Sequence, residues 1–140
     1  MYFSKKFDVP LNEQVLFSAE NLNFMNTGHS PQHCTIKELI DLNIANINDL
    51  KIITIVRNPY DRLISELFYH KLIFENSTQE FVEEQTINYL NSENTYDNHK
   101  LPQYKYLESN NKIIDCIILR NETLNHDMFK LGYTDFNLYY

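Results

Sequence analysis

An arginine at position 57, a serine eight positions later at 65, and five histidines that include His29 and His33 are residue types able to do chemistry. A guanidinium presents a planar fork of N–H donors that matches a phosphate, and a hydroxyl adds one more donor. An imidazole with a pKa near ~6.5 can accept a proton at neutral pH. These residue types suit a site that binds an anion and takes a proton from a nucleophile. His99, Gln103 and Lys105 form a further polar set that can line an acceptor side. Each has a structural alternative. Arg57 can be an ion-paired residue at a strand end, and Ser65 can bond its own preceding turn. His29 can be a loop histidine, and His33 can shape the start of the next helix. Arg62 reads as structural, bridging Asp61 or Glu66.

The elements that must position these residues are legible around Arg57. Ile52-Ile53-Thr54-Ile55-Val56 is an apolar, β-branched run that predicts a strand covered on both faces. Asn58 is a good N-cap and Pro59 a good first helical residue, so a helix starts there and runs to about Phe74. Tyr60, Leu63, Ile64 and Leu67 recur at helical spacing as its inward face. Arg57 is thereby left at the carboxyl end of a strand beside a helix N-terminus, where α/β proteins bind anions. Thr35 and Glu38 form a capping box that opens a helix through about Leu42. Ser77 and Glu80 predict a second such start, with Phe81, Val82, Tyr89 and Leu90 on its apolar side. Residues 91–103 read as an exposed polar loop, Ile113 to Leu119 as a second buried strand, and Val15-Leu16-Phe17 as a short one. Leu124, Met128 and Leu131 mark a short helix that stops at Gly132. The fold class is α/β, a small parallel sheet flanked by helices in a single domain spanning residues 1–140.

Val56-Arg57-Asn58-Pro59-Tyr60-Asp61-Arg62-Leu63-Ile64-Ser65 resembles the 3′-phosphate-binding motif of sulfotransferases that use 3′-phosphoadenosine 5′-phosphosulfate (PAPS), most closely the carbohydrate sulfotransferase branch. His33-Cys34-Thr35, Pro102-Gln103 and Arg120-Asn121-Glu122-Thr123-Leu124 are similar to further signatures of that family, in the same order. The resemblance implies a P-loop-NTPase-like sulfotransferase fold, with Arg57 and Ser65 on the nucleotide's 3′-phosphate. It implies PAPS as sulfuryl donor, adenosine 3′,5′-bisphosphate (PAP) as product, and a hydroxyl acceptor, carbohydrate by branch. Gly28-His29 falls where some relatives place a catalytic histidine, with His33 next in line. The family's Lys-x-Gly-x-Ser/Thr loop for the 5′-phosphosulfate has no counterpart in a chain whose glycines are Gly28 and Gly132. Near the expected place stand only Lys5 and Lys6, followed by Asp8-Val9-Pro10. Two expectations follow: a fragment that begins after the loop, or a degenerate loop. In the second case the alternative is a catalytically inactive nucleotide-binding or interaction module that retains the 3′-phosphate site.

Composition narrows the field further. A formal net charge of −7 argues against nucleic acid, whose phosphate backbone demands a broad basic surface, while a nucleotide needs only a local patch. No run approaches the ~20 apolar residues of a membrane span, and no signal-peptide pattern opens the chain. The expectation is a soluble protein, cytoplasmic by default. Cys34 and Cys116 read as two separate thiols, and no His or Cys falls at zinc spacing, so no metal is expected.

Overall fold

The computed structural model describes Lys6 and residues 29–30, 33–43 and 49–137. The expected strand at Val15-Leu16-Phe17, together with Gly28, Lys5 and Asp8-Val9-Pro10, lies outside the described residues.

Strand β1 (Ile53–Val56) and helix α2 (Pro59–Tyr69) form the joint expected around Arg57, preceded by helix α1 (Ile36–Asp41). The side chain of Asn58 accepts the Tyr60 N–H at 2.9 Å, and Pro59 occupies the first helical position. Helix α1 opens on the Thr35/Glu38 capping box in both directions. Helix α2 ends at Tyr69, five residues before the expected Phe74. Lys71 turns left-handed there (φ 56), its N–H bonding Phe68 O while the Leu72 N–H bonds Leu67 O. That is a Schellman stop with lysine where glycine is usual, so the sequence carried no signal for it.

Helix α3 (Gln79–Asn91) is capped by Thr78 rather than Ser77. The Ser77 hydroxyl instead accepts the Phe74 N–H at 2.9 Å, closing the preceding turn. A 3₁₀ turn over Gln103–Leu107 leads into a hairpin of β2 (Glu108–Ser109) and β3 (Lys112–Ile113). Its turn residues, Asn110 and Asn111, both have positive φ, the two-residue geometry that asparagine tolerates. The single strand expected over Ile113 to Leu119 is therefore two, β3 and then β4 (Ile117–Arg120). Helix α4 (Leu124–Lys130) ends as expected. Gly132 (φ 89) and Tyr133 return N–H groups to Phe129 O and Met128 O, a second Schellman stop.

β1 and β4 pair in parallel, Ile53 opposite Ile117 and Val56 opposite Arg120, giving a small α/β fold with helices against a two-stranded parallel sheet. Two cores result. Leu119, Leu124 and Met128 join α4 to β4, with Ile53 and Ile117 against them. Leu67, Ile73 and Tyr89 join α2 to α3, with Leu63 and Val82 alongside. The expectation that β1 is covered on both faces fails: Ile55 is 51% exposed and its neighbour strand's Ile118 56%. A seven-residue helix is only about 10 Å long, and α4 covers the β4 side. On α2 the inward face narrows to Leu63 and Leu67, since Tyr60 and Ile64 are exposed, and on α3 Phe81 and Leu90 are exposed too.

Candidate functional site

The carboxyl ends of the two parallel strands are clamped by side chains. The Arg57 N–H donates to Gln103 Oε1 and the Gln103 amide donates to Arg57 O, both at 2.8 Å. Gln103 thus completes both hydrogen bonds of the Arg57 peptide, as a neighbouring strand would. The Asn58 N–H donates to Glu122 Oε1 at 2.6 Å, and the Arg120 N–H to Asp127 Oδ2 at 3.0 Å. The Asn58 N–H, with Arg57 and Arg120 adding less, holds the Glu122 carboxyl below its ordinary value. The Arg120 N–H and the Thr123 hydroxyl do the same for Asp127. The Pro-Gln segment and the Arg-x-Glu segment meet at this joint.

Arg57 and Ser65 line one open concavity of about 320 Å³, together with Asp61, Ile64 and Phe68. These four α2 residues recur at i, i+3, i+4 and i+7 and form one stripe of the helix. The opposite stripe, Tyr60, Leu63 and Glu66, faces a different cavity of about 410 Å³, also lined by Tyr89, His99 and Gln103. Among the described residues no ion pair ties the Arg57 guanidinium, and the Ser65 hydroxyl makes no hydrogen bond to its preceding turn. Thr86, by contrast, does bond back to Val82 O at 2.7 Å. The fold therefore brings Arg57 and Ser65 to one surface with their polar groups uncommitted. Arg62 is structural through other partners than expected: its guanidinium donates to the carbonyls of His99 (2.6 Å) and Leu101 (3.0 Å), not to Asp61 or Glu66. This ties the loop after α3 onto α2, so residues 96–101 are half-buried rather than an exposed loop.

The two histidines differ. The His29 side chain is only 5% exposed, with Nε2 2.9 Å from Glu38 Oε1 and Nδ1 3.2 Å from Ser30 O. Both of its ring nitrogens are engaged. His33 places Nδ1 2.9 Å from Asp97 Oδ2 and is 22% exposed, an orientation that leaves Nε2 as its second functional atom. Burial works to raise the Asp97 carboxyl, but the Ser30 hydroxyl and N–H and the His33 ring outweigh it and hold it low. Glu38 is likewise held low, burial being outweighed by the Thr35 N–H and hydroxyl and by His29. Lys105 is paired with Glu108 at 3.0 Å and does not line the cavity that His99 and Gln103 share.

Cys34 and Cys116 are both free thiols. Burial first, then Glu38 and Asp97, push the Cys34 thiol up to about 11, which makes it a poor nucleophile. Linear spacing gave no metal cluster, yet folding gathers three groups of ligand-type side chains: His29/Cys34/Glu38, His33/Asp97/His99 and Glu66/His70/His99. Their members lie up to 66 positions apart (His33 to His99), beyond what spacing rules detect. No described helix is long and apolar enough to cross a membrane.

A family model described as "Sulfotransferase family" matches residues 2–133. Nothing among the curated proteins or the solved structures matches the chain. The family match takes in β1, the Arg57–Ser65 stripe, the Gln103 strap and α4, all the elements that build the joint. On that coverage the chain belongs to the sulfotransferase family.

Proposed function

We propose that this domain transfers a sulfuryl group from PAPS to a hydroxyl acceptor, with Arg57 and Ser65 holding the donor's 3′-phosphate. The observation that carries this reading is the shared concavity of Arg57 and Ser65, one helical stripe beside a capped helix N-terminus. The phosphate would gain the guanidinium fork, the hydroxyl and the field of the eleven-residue helix α2. Asp61 in the same concavity works against an anion, so Arg57 carries most of the attraction.

In the transfer step the acceptor oxygen forms a bond to sulfur as the bond from sulfur to the 5′-phosphate oxygen breaks. PAP leaves with the electron pair, and a base receives the acceptor's proton. His33 is the base in this reading, because Asp97 fixes its Nδ1 and directs proton acceptance to Nε2. His29, expected first from its position, has both ring nitrogens engaged and would have to give up a bond to serve. The carbohydrate acceptor rests on the family branch suggested by the motif. This reading assigns the donor's 3′-phosphate alone, because the family's 5′-phosphosulfate loop has no counterpart in the sequence.

Calorimetry with PAP and AMP tests the donor site, because AMP lacks the phosphate assigned to Arg57 and Ser65. PAP should bind more tightly. Charge-assisted hydrogen bonds are worth roughly 1.5–3 kcal/mol, so Arg57→Ala should weaken PAP by about tenfold to a hundredfold. Equal affinities for the two nucleotides, or an Arg57→Ala variant that binds PAP like the parent, would overturn the assignment.

A further inference from the structure

Of the three groups of ligand-type side chains, only Glu66/His70/His99 contains a buried nitrogen with nothing to bond. One ligand atom from each of the three lies within 4.8 Å of the other two. Glu66 and His70 stand four residues apart at the end of α2, so both side chains project from one face. His99 arrives from the loop that Arg62 ties down by its backbone carbonyl. Glu66 Oε2 lies 2.6 Å from His99 Nδ1 and 3.6 Å from His70 Nε2. The second distance is the informative one. It is too long for a hydrogen bond, and His70 Nε2 is buried without any hydrogen-bond partner among the described residues.

A tetrahedral zinc ion with N and O ligands at about 2.0–2.1 Å holds those ligand atoms about 3.4 Å from each other. The 3.6 Å gap already has that span, and the 2.6 Å contact needs to open by less than about 1 Å. The three side chains are 17%, 22% and 20% exposed, so the group is mostly shielded from water. Rings of Tyr69, Tyr89 and Tyr96 pack around His70. Two imidazoles and one carboxylate suit zinc-class ions and leave one coordination position open. Glu66 and His99 also line the 410 Å³ cavity, which gives an ion and its open position a route to solvent.

The other two groups fit an ion less well. In His29/Cys34/Glu38 both histidine nitrogens are engaged, Glu38 also accepts from the Thr35 N–H and hydroxyl, and the Cys34 thiol resists ionisation. In His33/Asp97/His99 the Asp97 oxygens already accept from the Ser30 N–H, the Ser30 hydroxyl and His33. We infer that Glu66, His70 and His99 form a divalent transition-metal site of the zinc class on the wall of that cavity, independent of the nucleotide site across α2.

Titration of the chelator-stripped 140-residue chain with Zn²⁺ and Co²⁺ is the test, following heat and the visible absorption of the Co²⁺ form. One equivalent should bind, with a spectrum of low coordination number, and His70→Phe should weaken binding at least tenfold. Zn²⁺ should also raise the melting temperature of the parent and leave that of Glu66→Gln unchanged, a readout that does not depend on His70→Phe folding. Absence of stoichiometric binding would overturn the site. So would binding that survives in His70→Phe but is lost in His33→Ala or Cys34→Ala, which would place the ion in another group.

Discussion

The Arg57–Ser65 stripe and the histidine–carboxylate cluster beside it lie on either side of α2 and are built in opposite ways. The first comes from one strand end and one helix, within the twelve positions 57–68, with the Arg57 and Ser65 polar groups uncommitted. The second draws on three segments, and its contacts join residues 33 to 67 positions apart. Nearly every polar group in it is bonded to another part of the chain. Its turn carries three successive left-handed residues, Tyr96, Asp97 and Asn98. Such backbone costs of order 1 kcal/mol or more per residue. The Asp97 bonds to Ser30 and His33, the Asn98 amide on His33 O and the Tyr106 hydroxyl on Asn98 O offset it. A contiguous segment can leave its donors waiting for a ligand because capping and helix geometry hold them in place. An assembled cluster must bond internally to exist at all, and its functional atoms are those left over, such as the second nitrogen of His33.

The largest effect that can break this contrast concerns turnover. If His33 is the base, His33→Ala should lower sulfuryl transfer by ~10²–10⁴, while His29→Ala should cost far less. Asp97→Asn should give an intermediate loss with a displaced pH–rate profile, because it alters the orientation of His33 rather than removing it. A radiolabelled-sulfate assay with PAPS and a panel of sugar acceptors reads all three as ratios to the parent. A collapse in His29→Ala with His33→Ala intact would reverse the assignment. A parent that binds PAP but transfers nothing would favour the nucleotide-binding module without catalysis.

Stability of the strap between the two regions comes next in size. Gln103→Ala removes both partners of the Arg57 peptide, and each backbone group left unpaired costs about 1–3 kcal/mol. Denaturant unfolding should show a loss in that range, with weaker PAP binding as Arg57 loses its fixed backbone. Gln103→Glu keeps an acceptor for the Arg57 N–H but loses the donor to Arg57 O, so it should fall between parent and Gln103→Ala. A loss below about 0.5 kcal/mol, the range of neutral surface changes, would mean that water replaces the strap at no cost.

What the sequence disclosed follows the same division. The strand at 53–56, the start of α2 at Pro59, the Thr35/Glu38 box and the stop at Gly132 all rest on signals acting within one turn of chain. The elements that depart from local expectation are those where two local signals compete or none exists. Ser77 and Thr78 are both able to cap, and only the demand of the Phe74 N–H assigns Ser77 elsewhere. Lys71 ends α2 in a conformation that its residue type does not advertise. Asn110-Asn111 is the turn that closes β2 on β3 and so sets β3 apart from β4. Arg62 has Asp61 and Glu66 as helical neighbours, yet it reaches carbonyls 37 and 39 residues away. The pairings of His33 with Asp97 and of His99 with Glu66 need the folded chain, because no spacing rule spans such distances.

The smallest effect separates the two regions by pH. Glu38 and Asp97 have carboxyls held below their ordinary values of 4.5 and 3.8 by the bonds they accept. A carboxylate with a depressed folded value stabilises the protein at pH above its unfolded value, and that stability is lost as pH falls through the folded one. Melting temperature should therefore drop from about pH 5 downward, as both groups take up protons. Each side chain is about a third exposed, 31% for Glu38 and 36% for Asp97, so screening limits each to about 1 kcal/mol or less. The Glu38→Gln/Asp97→Asn pair should be less stable than the parent near neutrality and lose less on acidification, so the two curves converge at low pH. Among the described residues the Arg57–Ser65 stripe holds no such bonded pair, and Arg57→Ala should change the acid limb less than the double variant does, through the minor part Arg57 plays at Glu122. Parallel curves for the parent and the double variant would show that the cluster's carboxylates do not set its stability, and would remove the internal bonding on which the contrast with the Arg57–Ser65 stripe depends.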